Sequence, residues 1–274
     1  MFSRAPLNEI VIPCGQCVTM DVTGELSLAV GLDVQGKLVF PDGAKLTLRA
    51  PYIRVQGELH MFSSKIPNGQ EDVKFIIYDI DETVTSFIPA GSNRNVCGGF
   101  ACKAGKKPIV VAGGKLVIEA LPTDFPAWLN IYDVVDANIP EEDRSRALVL
   151  SNAVQGKWGI GAQILVTSHT REWNEEQVRN ITNIYDHTEA GYVVVELDTP
   201  IWRPTTFKDS SDFATEVALL ARNIVFEGDQ DDANSRHGGH LIIMNTPNVV
   251  QKLEGVEFRN FGQQGNLGRY VSEV

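Results

Sequence analysis

The sequence predicts an all-β protein built as a right-handed parallel β-helix (a β-solenoid) with inserted loops and hairpins. One short phrase, an apolar or small residue followed by x-Gly-x-Leu-x-apolar, occurs four times in the first 120 residues. Each copy alternates with period two, as the side chains of a strand do, and helical periodicity is sparse. A unit this short cannot bury its own apolar face, so the copies are expected to stack into one continuous core.

The four copies of the phrase begin at Val22, Val34, Val55 and Ala112. A glycine at a constant place in a strand marks a bend or a close approach of two backbones. The copies are unevenly spaced, so residues 63–95 are expected to leave the stack as loops or hairpins. The leucines expected in the core are Leu26, Leu38, Leu59 and Leu116.

The later part of the chain continues the strand pattern. Residues 164–167, 192–197, 223–227 and 240–244 are short, apolar-rich and bounded by Gly, Asp or Asn, which predicts strands. Residues 173–181 are a candidate short helix, and residues 214–222 fit a helix or a strand equally well. Without alternating helices a doubly wound α/β sheet is not expected. The alternative fold is a β-sandwich followed by a second β domain.

Composition restricts the partners of the chain. With 35 acidic against 24 basic residues the formal net charge is −11, which repels nucleic acid and anionic membrane surfaces. No apolar run reaches the roughly 20 residues that a membrane span needs. Residues 1–10 lack the apolar core of a secretory signal. Either the protein is cytosolic or the chain is a mature or trimmed fragment, and we favour the fragment.

The four cysteines form two close pairs, Cys14 with Cys17 and Cys97 with Cys102. Two local disulfides, or one bond between the pairs, are expected in an oxidising compartment. Free thiols and a four-thiolate zinc site are the alternatives, although the second pair is spaced too widely for a typical zinc knuckle. Asn180-Ile181-Thr182 is the only N-glycosylation sequon, and it is consistent with secretion.

Several segments resemble one known family, the G-eight (G8) domain of cell-surface hyaluronidases and fibrocystin-like proteins. Residues 18–62 resemble its opening strands, and AGGKLVIEALP (112–122) followed by Trp128 and KWGIGAQILVTSHT (157–170) resemble its later ones. Ala162 replaces an acidic residue that the family usually has. Segments 214–229, 238–244 and 255–270 resemble a β-helix that follows the domain. In the family the glycine-arginine-tyrosine phrase runs on into Pro-x-His-x-His, whereas this chain ends Arg269-Tyr270-Val271-Ser272-Glu273-Val274.

The resemblance implies a G8-like β domain at 7–128 and continuing β-helix coils at 129–274, truncated at the C-terminus. It implies an extracellular or cell-surface location. The segment Arg236-His237-Gly-Gly-His240 contains two histidines. The resemblance favours His240 as the functional one, because the family shares a glycine-glycine-histidine phrase. In a continuous strand residues i and i+3 point to opposite faces, so packing is the competing interpretation.

Glycoside hydrolysis needs two carboxyl groups about 5–10 Å apart, one of them protonated, and arginine can hold a sugar carboxylate with two hydrogen bonds. Charges that block sheet edges or line turns are an equally good interpretation of the acids and arginines present. The candidate catalytic residues are Glu216, Arg222, Asp229, His240, Glu257 and Arg269.

A phosphatase motif is the remote alternative. The segment FIIYDIDETV places Asp79 and Asp81 as in haloacid-dehalogenase-type phosphatases, with Asp229 and Asp232 as later magnesium ligands. That fold needs parallel strands that alternate with helices, which the pattern does not predict.

The tryptophans are candidate platforms for sugar rings. Trp173 and Trp202 adjoin charged or turn residues and are the candidate carbohydrate-binding residues, whereas Trp128 and Trp158 are expected in the core. The remaining histidines, His60, His169 and His187, are expected to be structural or at the surface.

Two functions follow from these patterns. The first is a non-catalytic extracellular module that binds a glycan or an extracellular protein. The alternative is a polysaccharide-degrading, hyaluronidase-like hydrolase. The negative charge opposes binding of hyaluronan unless calcium or a local basic groove offsets it. Calcium is therefore the one candidate cofactor.

Overall fold

The computed structural model describes residues 7–78, 104–122, 124–132, 138–168, 172–202, 215–229, 237–244 and 246–265. These residues are mostly β-strand. The strands, numbered in chain order, are β1 (Leu7–Ile12), β2 (Cys17–Thr19), β3 (Gly24–Val34), β4 (Lys37–Phe40), β5 (Leu46–Ala50), β6 (Ile53–Val55), β7 (Glu58–Phe62), β8 (Val73–Ile77), β9 (Pro108–Ala112), β10 (Lys115–Glu119), β11 (Trp128–Asn130), β12 (Ala147–Ser151), β13 (Gln163–Val166), β14 (Gln177–Asp186), β15 (Tyr192–Leu197), β16 (Glu216–Leu219), β17 (Ile224–Gly228), β18 (His240–Met244), β19 (Lys252–Glu254) and β20 (Val256–Arg259). Short 3-10 helices span Glu141–Arg146, Asn152–Val154 and Trp173–Glu175.

The chain divides into two compact units. The first contains Met1–Ser64, Glu71–Ala120 and Asn223–Val274, and the second contains Lys65–Gln70 and Leu121–Arg222. The polypeptide therefore leaves the first unit and returns to it at residue 223, where β17 resumes the pairing that β8 began.

Parallel pairing organises the first unit. A five-stranded sheet has the order β19-β10-β7-β4-β2, and a nine-stranded sheet has the order β18-β9-β6-β3-β5-β8-β17-β20 with β1 attached to β3. The long strand β3 joins two rows of the larger sheet, because its first half pairs with β5 and its second half with β1 and β6. One apolar core is shared by these sheets.

Aromatic rings form part of this core. Phe75 of β8, Phe226 of β17 and Phe258 of β20 occupy the same register position on three adjacent parallel strands. The first two rings stack with centroids 4.6 Å apart, and Phe226 stacks on Phe258 at 5.5 Å. In-register strands about 4.8 Å apart bring identical side chains to stacking distance.

The glycines of the repeated phrase lie where neighbouring backbones touch. In β4, β7 and β10 the phrase is in register, with Leu38, Leu59 and Leu116 paired across the sheet and buried. The glycine before each strand accepts a hydrogen bond from the next strand's first amide, Gly36 from Glu58 and Gly57 from Lys115. Three of the four copies thus behave as one structural repeat.

The first copy of the phrase is not part of that repeat. Gly24 begins β3 and is paired with Leu46 of β5 in the other sheet. A Cβ atom at Gly24 would meet nothing within 4 Å. Leu26 is only partly buried against the core, so the expectation that all four leucines are core residues is wrong for this one.

The second unit has antiparallel pairing throughout its described strands. Its six-stranded sheet has the order β11-β16-β13-β14-β15-β12. An apolar core packs on its inner face and includes Trp158, which is 3% exposed. The expected burial of Trp158 is therefore confirmed.

The predicted fold class is wrong. A right-handed parallel β-helix through the whole chain would need parallel pairing in residues 121–222, and these residues form an antiparallel sheet in a unit of their own. The β-sandwich alternative is wrong as well, because the sheets of the first unit are parallel and sandwiches pack antiparallel ones. Period-two alternation indicates a strand without indicating the direction of its partner.

The later elements are observed close to their predicted positions. Strands β13, β15, β17 and β18 match the four predicted segments to within a residue or two. Residues 214–222 contain strand β16, and the candidate helix at 173–181 is a single 3-10 turn followed by β14. Among the described residues no helix is long and apolar enough to cross a bilayer.

Candidate functional site

The candidate acid Asp229 lies at the end of β17 in a cluster of basic groups. Arg49 Nη2 donates to its carboxylate at 2.5 Å, and Lys107 Nζ donates to its backbone carbonyl at 2.6 Å and to that of His237 at 3.3 Å. Lys107 is 5% exposed. These hydrogen bonds connect β5, the segment before β9 and the chain after β17. Asp229 therefore has a structural role.

His240 begins β18 and is fully buried. Gln263 Nε2 lies 3.3 Å from its Nδ1, and the carbonyl of Ala104 lies 2.7 Å from its Nε2. A carbonyl oxygen can only accept, so Nε2 carries the proton given to Ala104. His237 Nε2 lies 3.2 Å from the carbonyl of Gln264, so the two histidines face different partners.

Glu257 belongs to a charged row on the outer side of β8, β17 and β20. Arg259 donates to both oxygens of Glu257 at 3.0 Å, to Glu71 at 2.6 Å and to Glu227 at 3.3 Å. Lys74 adds a 2.7 Å ion pair with Glu227. The hydrogen bonds that Arg259 donates to Glu257 and Glu71 raise the pKa of Arg259, so its guanidinium stays charged within this row.

A general acid needs a carboxyl group whose pKa is raised. The described carboxyl groups whose pKa departs clearly from its ordinary value all have it lowered; they are Asp33, Asp42, Glu58, Glu71 and Asp198. At Glu71 burial raises the pKa, but the hydrogen bonds and charges of Arg259 and Lys74 lower it by more, so the net shift is downward. These five groups are suited to ion pairing rather than to proton donation.

Glu216 and Arg222 belong to the second unit, unlike Asp229, His240 and Glu257. Arg222 Nη1 donates to the carbonyls of Leu219 and Ala221, so it closes the end of its own strand. Several further candidates lie outside the described residues, namely Asp79, Asp81, Cys97, Cys102, His169, Asp232, Arg236 and Arg269. The part of the chain that the structure describes contains no α-helix, which disfavours the phosphatase interpretation.

The outer face of the antiparallel sheet presents a different kind of site. Register pairs Trp128 of β11 with Ala218 of β16, Ala218 with Leu165 of β13, and Leu165 with Val178 of β14. Directly paired residues of antiparallel strands point to the same face. These four side chains, the apolar row, therefore cross four strands, and its ends are exposed, Trp128 at 52% and Val178 at 42%.

Polar residues flank the apolar row on the same face. Asn130 pairs with Glu216 on one side, and Gln163 pairs with Asn180 on the other. Asn130, Gln163 and Asn180 are exposed. The four residues comprise three amides and one carboxylate and include no lysine or arginine, so the polar rim can donate and accept hydrogen bonds without positive charge.

Trp128 was expected in the core, and this expectation is wrong. It lies on β11, which pairs with β16 at the end of the described sheet, and its side chain points to the outer face. Trp202 is 58% exposed, as a carbohydrate platform must be. Gln177 holds its backbone, accepting from the amide at 2.8 Å and donating to the carbonyl at 3.3 Å. The side chain of Trp173 lies outside the described parts.

Sequence reasoning missed the apolar row, Arg49, Lys107 and Gln263. The signal for the row was present only in part: Trp128 and Asn130 are two residues apart, as are Val178 and Asn180, and this spacing places both members of each pair on one face of a strand. Pairing between residues up to 90 positions apart decides that these side chains share one face, and no local pattern contains that information.

Cys14 and Cys17 are exposed free thiols. The residues that the structure describes include no group of three or more His, Cys, Asp or Glu able to hold a metal ion. With Cys97 and Cys102 undescribed, the expected disulfides stay a prediction.

We expect thiol titration of the unreduced, denatured protein after oxidative expression to find fewer than four free thiols, because each disulfide consumes two. Mass mapping of unreduced peptides would show which pair is bonded. Four free thiols would contradict the expectation, and stoichiometric zinc with four thiols would establish the metal alternative.

Mostly β architecture and a Gly-x-Leu repeat stacked in register place this chain among β proteins built from repeated parallel strands. Residues 4–129 match the family model described as G8 domain. This match confirms the resemblance to the G8 domain family over that part of the chain.

Curated relatives match almost the whole chain at low identity. Protein rliB of Dictyostelium discoideum is 22% identical over 97% of this chain and 21% of its own length. Communication mutant protein F of the same organism is 23% identical over 97% of the chain and 22% of its length. Human cell surface hyaluronidase CEMIP2 is 24% identical over 79% of the chain and 16% of its length. The chain thus spans about a fifth of the length of the first of these relatives.

Proposed function

We propose that this chain is a carbohydrate-binding segment of a cell-surface or secreted protein, and that the outer face of the antiparallel sheet binds the sugar. The observation that carries the proposal is the apolar row, which ends in a Trp128 ring that is half exposed. A flat apolar strip edged by hydrogen-bonding groups complements a sugar ring, whose C–H faces are apolar and whose hydroxyl groups lie at its rim.

The chemistry of the face favours a neutral glycan. Amides donate and accept, so Asn130, Gln163 and Asn180 match hydroxyl groups in either role. Glu216 adds a negative charge, and the formal net charge of the chain is −11. Both repel an acidic polysaccharide such as hyaluronan. A protein ligand is the competing occupant, and it is distinguished by the binding assay.

A surface or secreted location is part of the proposal. Its support is the sequon at Asn180 and the name of the human relative, cell surface hyaluronidase CEMIP2. That name also supports the second candidate function, polysaccharide hydrolysis. Hydrolysis needs a protonated carboxyl group, and the five described carboxyl groups with a clearly shifted pKa all have it lowered, which disfavours them as the acid.

We expect the full chain to be retained by a neutral polysaccharide in affinity electrophoresis, and Trp128→Ala to weaken retention about threefold to tenfold. The estimate follows from the roughly 0.5–1.5 kcal/mol that an aromatic stacking contact contributes. The panel contains neutral and acidic polysaccharides with and without calcium, and it records both retention and polymer size.

Ile160→Ala is the matched control, since Ile160 is an exposed apolar residue of the same unit at 62% exposure and lies off the sheet. Its retention should equal that of the unmodified chain. Trp202→Ala tests the platform predicted from sequence. Retention lost only with Trp202→Ala would relocate the site, and no retention on any polysaccharide would contradict the proposal. Shortening of hyaluronan would establish hydrolysis instead.

A further inference from the structure

The same outer face carries the N-glycosylation sequon. We propose that Asn180 bears an N-linked glycan and that this glycan lies along the apolar row, covering the Trp128 end of the face from external ligands. The modification rests on the surface or secreted location that is part of the proposed function, and its effect on ligand binding rests on the proposed sugar-binding face.

The structure places Asn180 where the modification can occur. Along β14 residues 178, 180 and 182 are exposed, whereas 177, 179 and 181 point inward or are partly covered. Asn180 is therefore on the outer face next to Val178, and Thr182, which completes the sequon, is exposed too. Asn180 Nδ2 donates to Asp198 Oδ2 at 2.8 Å, and its backbone amide donates to Oδ1 at 3.1 Å.

The covalent step leaves this hydrogen bond available. The donor is a lipid pyrophosphate-linked oligosaccharide, whose anomeric C1–O bond breaks as a C1–Nδ2 bond forms. The pyrophosphate oxygen keeps the electron pair of the broken bond, and Nδ2 loses one of its two protons. The remaining N–H can still donate to Asp198, so the first sugar is attached to an ordered side chain rather than to a freely rotating one.

The spacing of the strands places the apolar row within reach of a glycan attached at Asn180. Strands are about 4.8 Å apart, so from β14 the row extends across β13 and β16 to Trp128 of β11, about 14 Å away. Val178 lies two residues from the attachment point on the same face. An oligosaccharide attached at Asn180 thus begins beside one exposed end of the row and can reach the other, and a neutral chain meets no unfavourable charge on the way.

The first measurement is occupancy. The chain, secreted from eukaryotic cells behind an added signal peptide, should show a mass increase on the peptide with Asn180, removed by amidase treatment with conversion of Asn180 to Asp. Thr182→Ala should abolish the increase, and Thr182→Ser, which keeps the sequon, should retain it. An unmodified Asn180 in the secreted chain would overturn the proposal.

The second measurement is coverage of Trp128. Acrylamide quenching of tryptophan fluorescence should be stronger in the Thr182→Ala protein than in the glycosylated one, and Trp128→Phe should remove most of that difference. Equal quenching with full occupancy would overturn the placement of the glycan. This readout does not depend on any external ligand, so it stays decisive if no polysaccharide binds.

The third measurement links the glycan to ligand binding. If the proposed function holds, retention on the neutral polysaccharide should rise at least threefold when the glycan is absent, because the same apolar surface becomes accessible. The Thr182→Ser protein should behave like the unmodified chain. Equal retention by the two forms would show that the glycan does not shield this face.

Discussion

Gly57→Ala is expected to destabilise the first unit by several kcal/mol. A Cβ atom at Gly57 would lie 1.9 Å from the carbonyl oxygen of Gly36 and 2.5 Å from that of Gln35. Both are backbone atoms that cannot rotate away. Overpacking typically costs about 1–3 kcal/mol, and here relief also requires β4 and β7 to separate, which strains the Gly36–Glu58 hydrogen bond.

Gly43→Ala is the control that separates close approach from backbone strain. Gly43 has φ +81° with nothing within 4 Å of its Cβ position, so alanine there costs only the roughly 1–2 kcal/mol of a left-handed conformation. Hydrogen exchange of peptides from β4, β7 and β10 measures the first unit. Tryptophan fluorescence does not, because all four tryptophans lie in the second unit. Equal effects of the two substitutions would contradict the stacked glycine contact.

Arg54→Met is expected to cost about 3–5 kcal/mol, the penalty for leaving one partner of a buried ion pair uncompensated. Asp33 and Arg54 are 1% and 6% exposed. Arg54 Nε donates to Asp33 Oδ1 at 2.8 Å, and Nη2 donates to Oδ2. Gln35 and Gln56 add hydrogen bonds of 2.7 and 3.1 Å to the same carboxylate. The measurement is again hydrogen exchange of β3 and β6.

The pH dependence of stability should change sign in this variant. Burial raises the pKa of Asp33, but the hydrogen bonds of Arg54 and the glutamines and the Arg54 charge lower it below its ordinary value of 3.8. The contribution of the folded carboxylate is therefore present above about pH 4 and lost as the pH falls through the lowered folded pKa. Without Arg54 burial dominates, the folded pKa rises above the unfolded one, and stability falls as the pH increases.

The double substitution Asp33→Leu with Arg54→Met should recover most of the lost stability. Replacing both members of a buried ion pair by apolar residues is often neutral or stabilising by about 1–4 kcal/mol. Arg54 Nη1 is buried with no hydrogen-bond partner among the described residues, which adds to the cost of the native pair. A double variant as unstable as Arg54→Met, or an Arg54→Met protein with unchanged pH dependence, would refute this account.

Part of the fold was predictable because its determinants are local. Residues 192–197 and 240–244 coincide with β15 and β18, since short apolar-rich runs between turn residues have few other solutions. The Gly-x-Leu phrase identified β4, β7 and β10 as one structural repeat. The same phrase at Gly24 led to a wrong prediction that Leu26 is a core residue. The long strand β3 has the same alternation as the repeat, but Gly24 makes no close backbone contact and pairs with β5 in the other sheet.

The candidate site was harder to predict than the strands. Asp229 and Glu257 attracted attention as acids, yet their role depends on Arg49 and Arg259, which approach from other strands. His240 was recognised by its phrase, whereas its two ring partners, Ala104 and Gln263, come from 136 and 23 residues away. Exposed Trp128 was mistaken for a core residue because an edge strand and a central strand have the same alternation.

From the sequence alone one could establish where the strands of the repeat and of four later apolar runs lie, that the protein is acidic and mostly β, and that its N-terminal half carries a G8-type repeat. Residues 63–95 were expected to leave the stack, yet β8 lies among them and pairs with β5 and β17. Strand direction, the division into two units and the apolar row are properties of the tertiary structure alone. Apolar alternation is identical in parallel and antiparallel strands, so which partner a strand meets depends on how the whole chain buries its apolar surface. Trp128 and Asn180 lie on the same face only because β11, β16, β13 and β14 pair in this order.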